Sequence, residues 1–180
     1  YGIFDCKGKK ICVVNLIGRT DMNVLSENPF LKMNDVLNAV KGKADIIILD
    51  FHAEATAEKI AMGYYLDGRI TAMFGTHTHV QTADEKIINN SMAYITDAGF
   101  CGAEDSVIGM EYTTSLARMT TCMPERFEVA QDKVAIINAV EITLDALTGK
   151  ATEIKRINDK IVYENNGLEV DFDNQNNQKS

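Results

Sequence analysis

At 180 residues with 46% hydrophobic side chains, the chain has enough apolar material for a core of its own and needs neither a disulfide framework nor a structural metal to fold. Its formal charge of −8 argues against a long nucleic acid as partner, because such binding runs on Lys and Arg displacing counterions from phosphates. Apolar runs of strand length, such as Ile46 to Leu49, exclude a helical membrane span, and four cysteines without a CxxC pair point to reduced thiols in a cytoplasmic protein rather than to a zinc knuckle.

In chain order, Ile11 to Leu16 reads as a buried strand ending at Gly18. Asn28-Pro29 predicts a helix start, with Asn28 as N-cap and Pro29 at the first helical position, where its missing N–H costs nothing. That helix is expected to turn Leu31, Val36, Leu37 and Val40 inward and to end near Gly42. Asp45 to Phe51, nearly continuous in apolar residues, predicts a strand covered by helices on both faces. Glu54 to Leu66 predicts a second helix with acidic residues in its first turn, an inward face of Ala57, Ile60, Ala61, Tyr64 and Tyr65, and Gly68 as C-cap. Ile70 to Phe74 predicts a strand that stops at Gly75-Thr76-His77-Thr78-His79. This alternation is the mark of an α/β layered domain.

Further on, Ile87-Ile88, Asn89-Asn90 and Met92 to Ile95 predict a hairpin. Ser106 to Met119 reads as partly helical. Val134 to Leu147 predicts a long strand, Thr148-Gly149 a turn, and Ala151 to Ile157 a strand pairing back antiparallel, so that the second half completes a mixed α/β sandwich. Residues 1–164 are read as part of one domain and 165–180, rich in Asn, Asp and Gln, as a disordered polar tail.

All three histidines, His52, His77 and His79, directly follow predicted strands, and the carboxyl ends of strands are where ligand sites gather in open α/β sheets. His77 and His79 would point to opposite faces of an extended backbone; a turn after Gly75 lets both rings converge, or lets each face a different ion. The plainer reading makes them ordinary polar loop residues, but the three strand-end positions favour metal ligation. Imidazole accepts zinc, iron, manganese and nickel alike, so the metal stays open at this point. Asp50 and Glu54 flank His52 as ligands or as partners that fix an imidazole tautomer, with Glu54 favoured as a helix-start residue. Asp84 and Asp97 fall in loops, Asp97-Ala98-Gly99 as a plain turn. Arg19 and Arg69 are phosphate candidates, though surface arginines are usually not so specific. With no Gly-x-Ser-x-Gly, Walker or Rossmann pattern, a metal-activated water is the natural nucleophile.

The segment Asp50-Phe51-His52-Ala53-Glu54-Ala55-Thr56-Ala57-Glu58-Lys59, with Leu66-Asp67-Gly68-Arg69 and Gly75-Thr76-His77-Thr78-His79-Val80-Gln81-Thr82-Ala83-Asp84, closely resembles the bacterial YmdB-like metallophosphoesterases. Asn15 to Arg19, Ala93 to Gly99 and Pro124 to Glu128 extend the resemblance, which runs from about Lys9 to about Ile157. It implies the calcineurin-like phosphoesterase class: a layered mixed-sheet sandwich that hydrolyses 2′,3′-cyclic, and in some members 3′,5′-cyclic, nucleotides with two iron or manganese ions. By the class pattern, His52 and His77 would hold one ion and His79 the other.

Family members carry an N-terminal portion with an Asp ligand, a bridging Glu, an Asn ligand and a catalytic His, which nothing in this sequence matches. The catalytic and substrate-binding residues therefore stay unassigned, the fold is expected to lack the N-terminal strands, and the chain, which opens on Tyr1, is expected to be incomplete. An N-terminal fragment or a second copy, meeting an exposed sheet edge, is the expected partner. The alternative is a non-catalytic remnant that binds metal or nucleotide and acts through a partner chain. An amidohydrolase is disfavoured, because there HxH opens the ligand series instead of following a lone histidine.

Overall fold

A computed structural model describes residues 1–162; the tail read at 165–180 lies outside them. The main sheet consists of β1 (Gly2–Cys6), β2 (Lys9–Ile17), β3 (Ile46–His52), β4 (Ala72–Thr76), β5 (Lys86–Ile88) and β6 (Met92–Ile95), in the order β1-β2-β3-β4-β6-β5. Strands β2, β3, β4 and β6 run parallel, and β1 and β5 pair antiparallel at the two edges. The connections explain this mixed orientation. Parallel neighbours need long crossovers, supplied by α1 (Pro29–Val40) and α2 (Thr56–Leu66), whereas tight turns reverse the chain at the edges. The turn residues Lys7, Gly8, Asn89 and Asn90 all have positive φ, at 49°, 79°, 42° and 57°, Lys7-Gly8 as the two-residue loop of the first hairpin and Asn89-Asn90 within the three-residue loop, Asn89 to Ser91, of the second. The hairpin expected around Asn89-Asn90 is present. Strand β1 goes beyond the sequence-based expectation, since Ile3-Phe4 is too short an apolar run to show a period.

The sheet is covered differently on its two faces. Cys12, Val14, Leu49, Phe51, Met73, Met92 and Tyr94 pack against Met33, Val36 and Val40 of α1 and Met62 and Leu66 of α2; each such large side chain contributes about 1.5–3 kcal/mol by leaving water. On the other face Ala72 and Ala93 meet Ala151, with Ile48, Ile87, Ile142 and Ile154 around them, from β8 (Val134–Leu144) and β9 (Ala151–Val162). Strand β3 is thus covered by helices on one side and by strands on the other, not by helices on both as expected. Strand β2 is covered on one side only: Val13 and Ile17 on its far side stay 39% and 41% exposed.

Asn28 caps α1 as expected, accepting from the amides of Phe30 and Leu31 at 2.9 and 3.4 Å. Its buried face is Pro29, Met33, Val36 and Val40, with Leu37 partly packed and Leu31 left outside at 62% exposure. In α2 the expected face is displaced. The buried residues are Lys59, Met62, Gly63 and Leu66, spaced as one helical stripe, while Ala57, Ala61, Tyr64 and Tyr65 are exposed. Tyr65 stays outside with its hydroxyl accepting from Asn34 Nδ2 at 2.6 Å, and Lys59 is buried because it has a partner, as a buried lysine requires.

The described residues divide into two compact units. The first, Tyr1–Phe100 with Asn138–Asn158, contains the main sheet, α1, α2 and the 138–158 portion of β8 and β9. The second takes in Cys101–Ile137 and, among the described residues, Asp159–Val162. In it β7 (Cys101–Ala103) pairs antiparallel with the start of β8, and α3 (Tyr112–Thr121) begins at Glu111, whose carboxylate accepts from the Thr113 and Thr114 amides. The part-helical reading of Ser106 to Met119 corresponds to α3, which starts late because Val107 and Met110 first close a tight turn. The expected turn at Thr148-Gly149 closes between Asp145 and Lys150. None of the four cysteines forms a disulfide, and among the described residues no helix is long and apolar enough to cross a membrane.

Candidate metal centre

Parallel register sets Ile17, His52 and Thr76 side by side at the carboxyl ends of β2, β3 and β4. His52 closes β3, and His77 follows β4 with φ at 106°, a backbone that an L residue adopts only when its surroundings impose it. The two rings meet edge to face with centroids 4.7 Å apart, and His52 Nε2 stands 3.0 Å from His77 Nδ1.

The outer nitrogens decide what that contact means. Thr76 Oγ1 donates to Asp50 Oδ1 at 2.8 Å, because a carboxylate only accepts; the Thr76 oxygen then accepts from His52 Nδ1, 3.1 Å away. On the other ring His77 Nε2 lies 3.2 Å from Glu54 Oε2 and donates to it. In the tautomers with both N–H groups turned outward, two ring lone pairs face each other across 3.0 Å. A shared cation, a proton or a metal ion, then satisfies both; with one ring in its other tautomer the same contact is an N–H···N hydrogen bond. Two imidazole nitrogens on one ion, each at ~2.0–2.1 Å and about 90–110° apart, stand about 2.9–3.4 Å from each other, so the spacing fits a metal. Asp50, itself steadied by Asn15 Nδ2 at 2.9 Å, and Glu54 stand where carboxylates that fix an imidazole tautomer stand. Glu54 therefore does not serve as the helix-start residue expected of it; α2 has Ala55 at its N-cap and no side-chain cap.

His79 is not part of this pair. Its ring is exposed and lies stacked over Phe100 at 6.2 Å, with φ at 65°. Among the described residues no group of three or more His, Cys, Asp or Glu is arranged to enclose a metal ion.

Three residues that no sequence motif marks as functional hold the site's loops. Glu58 accepts from the Arg19 amide at 3.0 Å and the Thr20 amide at 3.1 Å, fixing the turn after β2. Asp97 is fully buried and is no plain turn residue: it accepts from Lys59 Nζ, from the Thr78 amide and hydroxyl, and from the Gly99 amide. Burial pushes its carboxyl up, but the hydrogen bonds from Lys59, Gly99 and Thr78 outweigh that and hold it below the usual carboxylate range. Lys59 carries no local signal, because the apolar face that the sequence suggests for α2 leaves it outside and its partner Asp97 lies 38 residues away. Asp84 has a comparable structural task, accepting from the amide and hydroxyl of Thr96. Arg69 is engaged with Asn34 Oδ1 at 2.6 Å and the Tyr65 ring. It also lines a cavity of about 560 Å³ with Asp45, Asp67, Thr71 and Lys150, at the amino ends of the parallel strands and away from the histidines.

Comparison with known proteins gives four findings. The family model described as YmdB-like protein matches residues 1–157. A 2′,3′-cyclic-nucleotide 2′-phosphodiesterase of Bacillus subtilis (strain 168) is 46% identical over 150 residues, which are 83% of this chain and 56% of that protein. Among solved structures, a hypothetical protein from Thermus thermophilus superposes with a TM-score of 0.79 at 36% identity, covering 88% of this chain and 61% of that one. A novel phosphatase of Mycoplasma pneumoniae superposes with a TM-score of 0.79 at 37% identity, covering 89% and 56%. The chain thus spans 56% to 61% of the length of these relatives.

Proposed function

Because the chain belongs to the YmdB-like protein family, we propose that it is the histidine-bearing part of a metal-dependent phosphodiesterase acting on 2′,3′-cyclic nucleotides, as the Bacillus subtilis relative is named. The observation that carries this reading is the pair of lone-pair nitrogens, His52 Nε2 and His77 Nδ1, facing each other at 3.0 Å with both outer nitrogens held by acceptors.

In this reading His52 and His77 hold one iron or manganese ion, and His79, exposed on the same loop, is the ligand for a second. Such an ion supplies Lewis-acid stabilisation of phosphoryl charge and a nucleophile at neutral pH. The chain's own residues do the rest. Thr76 with Asp50, and Glu54 on the other side, keep each ring in the tautomer that presents its lone pair inward. With a net charge of −8, the protein as a whole does not attract a free phosphodiester, and a bound cation would reverse the local field. The N-terminal portion of the family pattern, with its Asp, bridging Glu and Asn ligands and its catalytic His, would be the source of further ligands and of the catalytic residue.

The second reading, a metal- or nucleotide-binding module without turnover, is favoured by one observation: among the described residues, only two donors converge. Hydrolysis of 2′,3′-cyclic AMP with added manganese separates the two. Turnover abolished by His77→Ala supports the enzyme. Manganese binding abolished by the same substitution, without turnover in the parent, supports the module. Absence of both sinks the metal reading.

A further inference from the structure

Lys59 and Asp97 are 0% and 1% exposed and form an ion pair at 2.8 Å. Lys59 Nζ also donates to the carbonyl oxygen of Thr76 at 2.7 Å, and Asp97 Oδ2 accepts from the Thr78 amide at 3.1 Å and its hydroxyl at 2.8 Å. The residues on both sides of His77 are therefore tied to one buried pair. His77, at φ 106°, sits between these ties in a conformation that relaxes unless the chain is held at both ends. Packing alone gives no reason for the pair, since apolar residues of similar volume usually fill such a space as well or better than two charges taken out of water.

We infer that Lys59 and Asp97 are positioning residues, clamping Thr76 and Thr78 so that the strained His77 keeps its ring on His52, without either touching an ion or a substrate. The functional meaning of this clamp rests on the reading of the two imidazoles as a metal site; the clamp itself does not.

The test uses the full chain in three forms: the parent, Lys59→Met with Asp97→Leu, and Thr78→Val. Replacing both charges by apolar side chains removes the ties while sparing the core an unpaired charge. Three readouts are compared: thermal unfolding, long-range proton–nitrogen NMR of the imidazole nitrogens without metal at fixed pH, and manganese titration. A double variant that unfolds near the parental temperature, yet whose His52 and His77 nitrogens show averaged tautomers and whose manganese binding is about tenfold weaker or worse, establishes the clamp. A folded double variant with the parental imidazole pattern overturns it. Should the double variant not fold, Thr78→Val, which deletes one tie from the loop side, decides the question by the same NMR pattern. A parent that binds no manganese overturns the metal reading alone, and the metal-free imidazole pattern still decides the clamp.

Discussion

A β-carbon added to Gly75 would stand 1.8 Å from the carbonyl oxygen of Thr96, so β4 and the segment after β6 approach as closely as backbone permits. The approach is what brings Asp97 under the histidine loop. Overpacking a core typically costs about 1–3 kcal/mol, and a clash with a backbone oxygen belongs at the top of that range. Gly75→Ala is expected to lose about 3 kcal/mol or more in a urea titration. Gly42→Ala, where φ is +70° but nothing lies near the added carbon, should lose only about 1–2 kcal/mol. Gly75 itself has no positive φ, so equal losses would mean that the Thr96 carbonyl yields to the added carbon.

Asp97 sets the acid side of stability. Its carboxyl is held below the usual range in the folded chain, so its contribution is complete above the unfolded value of about 4 and disappears as pH falls through the lower folded value. Asp97→Asn leaves Lys59 buried without its counter-charge and should cost about 3–5 kcal/mol at neutral pH. Its stability should then vary less than the parent's below about pH 4. Parallel pH profiles for the two proteins would rule this out.

Tyr94 sets the alkaline side. Burial, opposed by the hydrogen bond with Thr96 at 2.9 Å, pushes its phenol up to about 12. A raised value means that the neutral form stabilises the fold, fully below about pH 10 and no longer once pH passes the folded value. Absorbance at 295 nm should show one of the six tyrosines ionising last and together with unfolding. Tyr94→Phe should remove that step at a cost of about 1 kcal/mol for the lost hydrogen bond.

Glu54 is half exposed, at 48%, so Glu54→Ala should leave thermal stability within about 0.5 kcal/mol of the parent. Releasing His77 Nε2 from its acceptor should nevertheless weaken manganese binding about 10- to 100-fold, read by calorimetry. Unchanged affinity would remove Glu54 from the site.

Strand-end histidines are legible because a histidine after an apolar β run is visible without coordinates, and so are Asn28-Pro29 and Asn89-Asn90, whose local chemistry dictates their conformation. The buried face of α2 is not. Tyr64 and Tyr65 look like core residues, and Lys59 looks like surface, until Asp97 arrives from 38 positions away. Long-range pairing of that kind leaves no periodic trace. Glu54 is hidden for a related reason: an acid beside a helix start has a sufficient local explanation, and His77, its partner in the fold, lies on another loop.

The left-handed backbone at His77 carries a consequence for how such a sequence changes over time. Glycine is at ease there and histidine is not, by about 1–3 kcal/mol, so His77→Gly is a mutation that selection for thermal resilience alone would welcome. A lineage freed from the need for chemistry should lose this histidine early, while keeping the sheet that carries it.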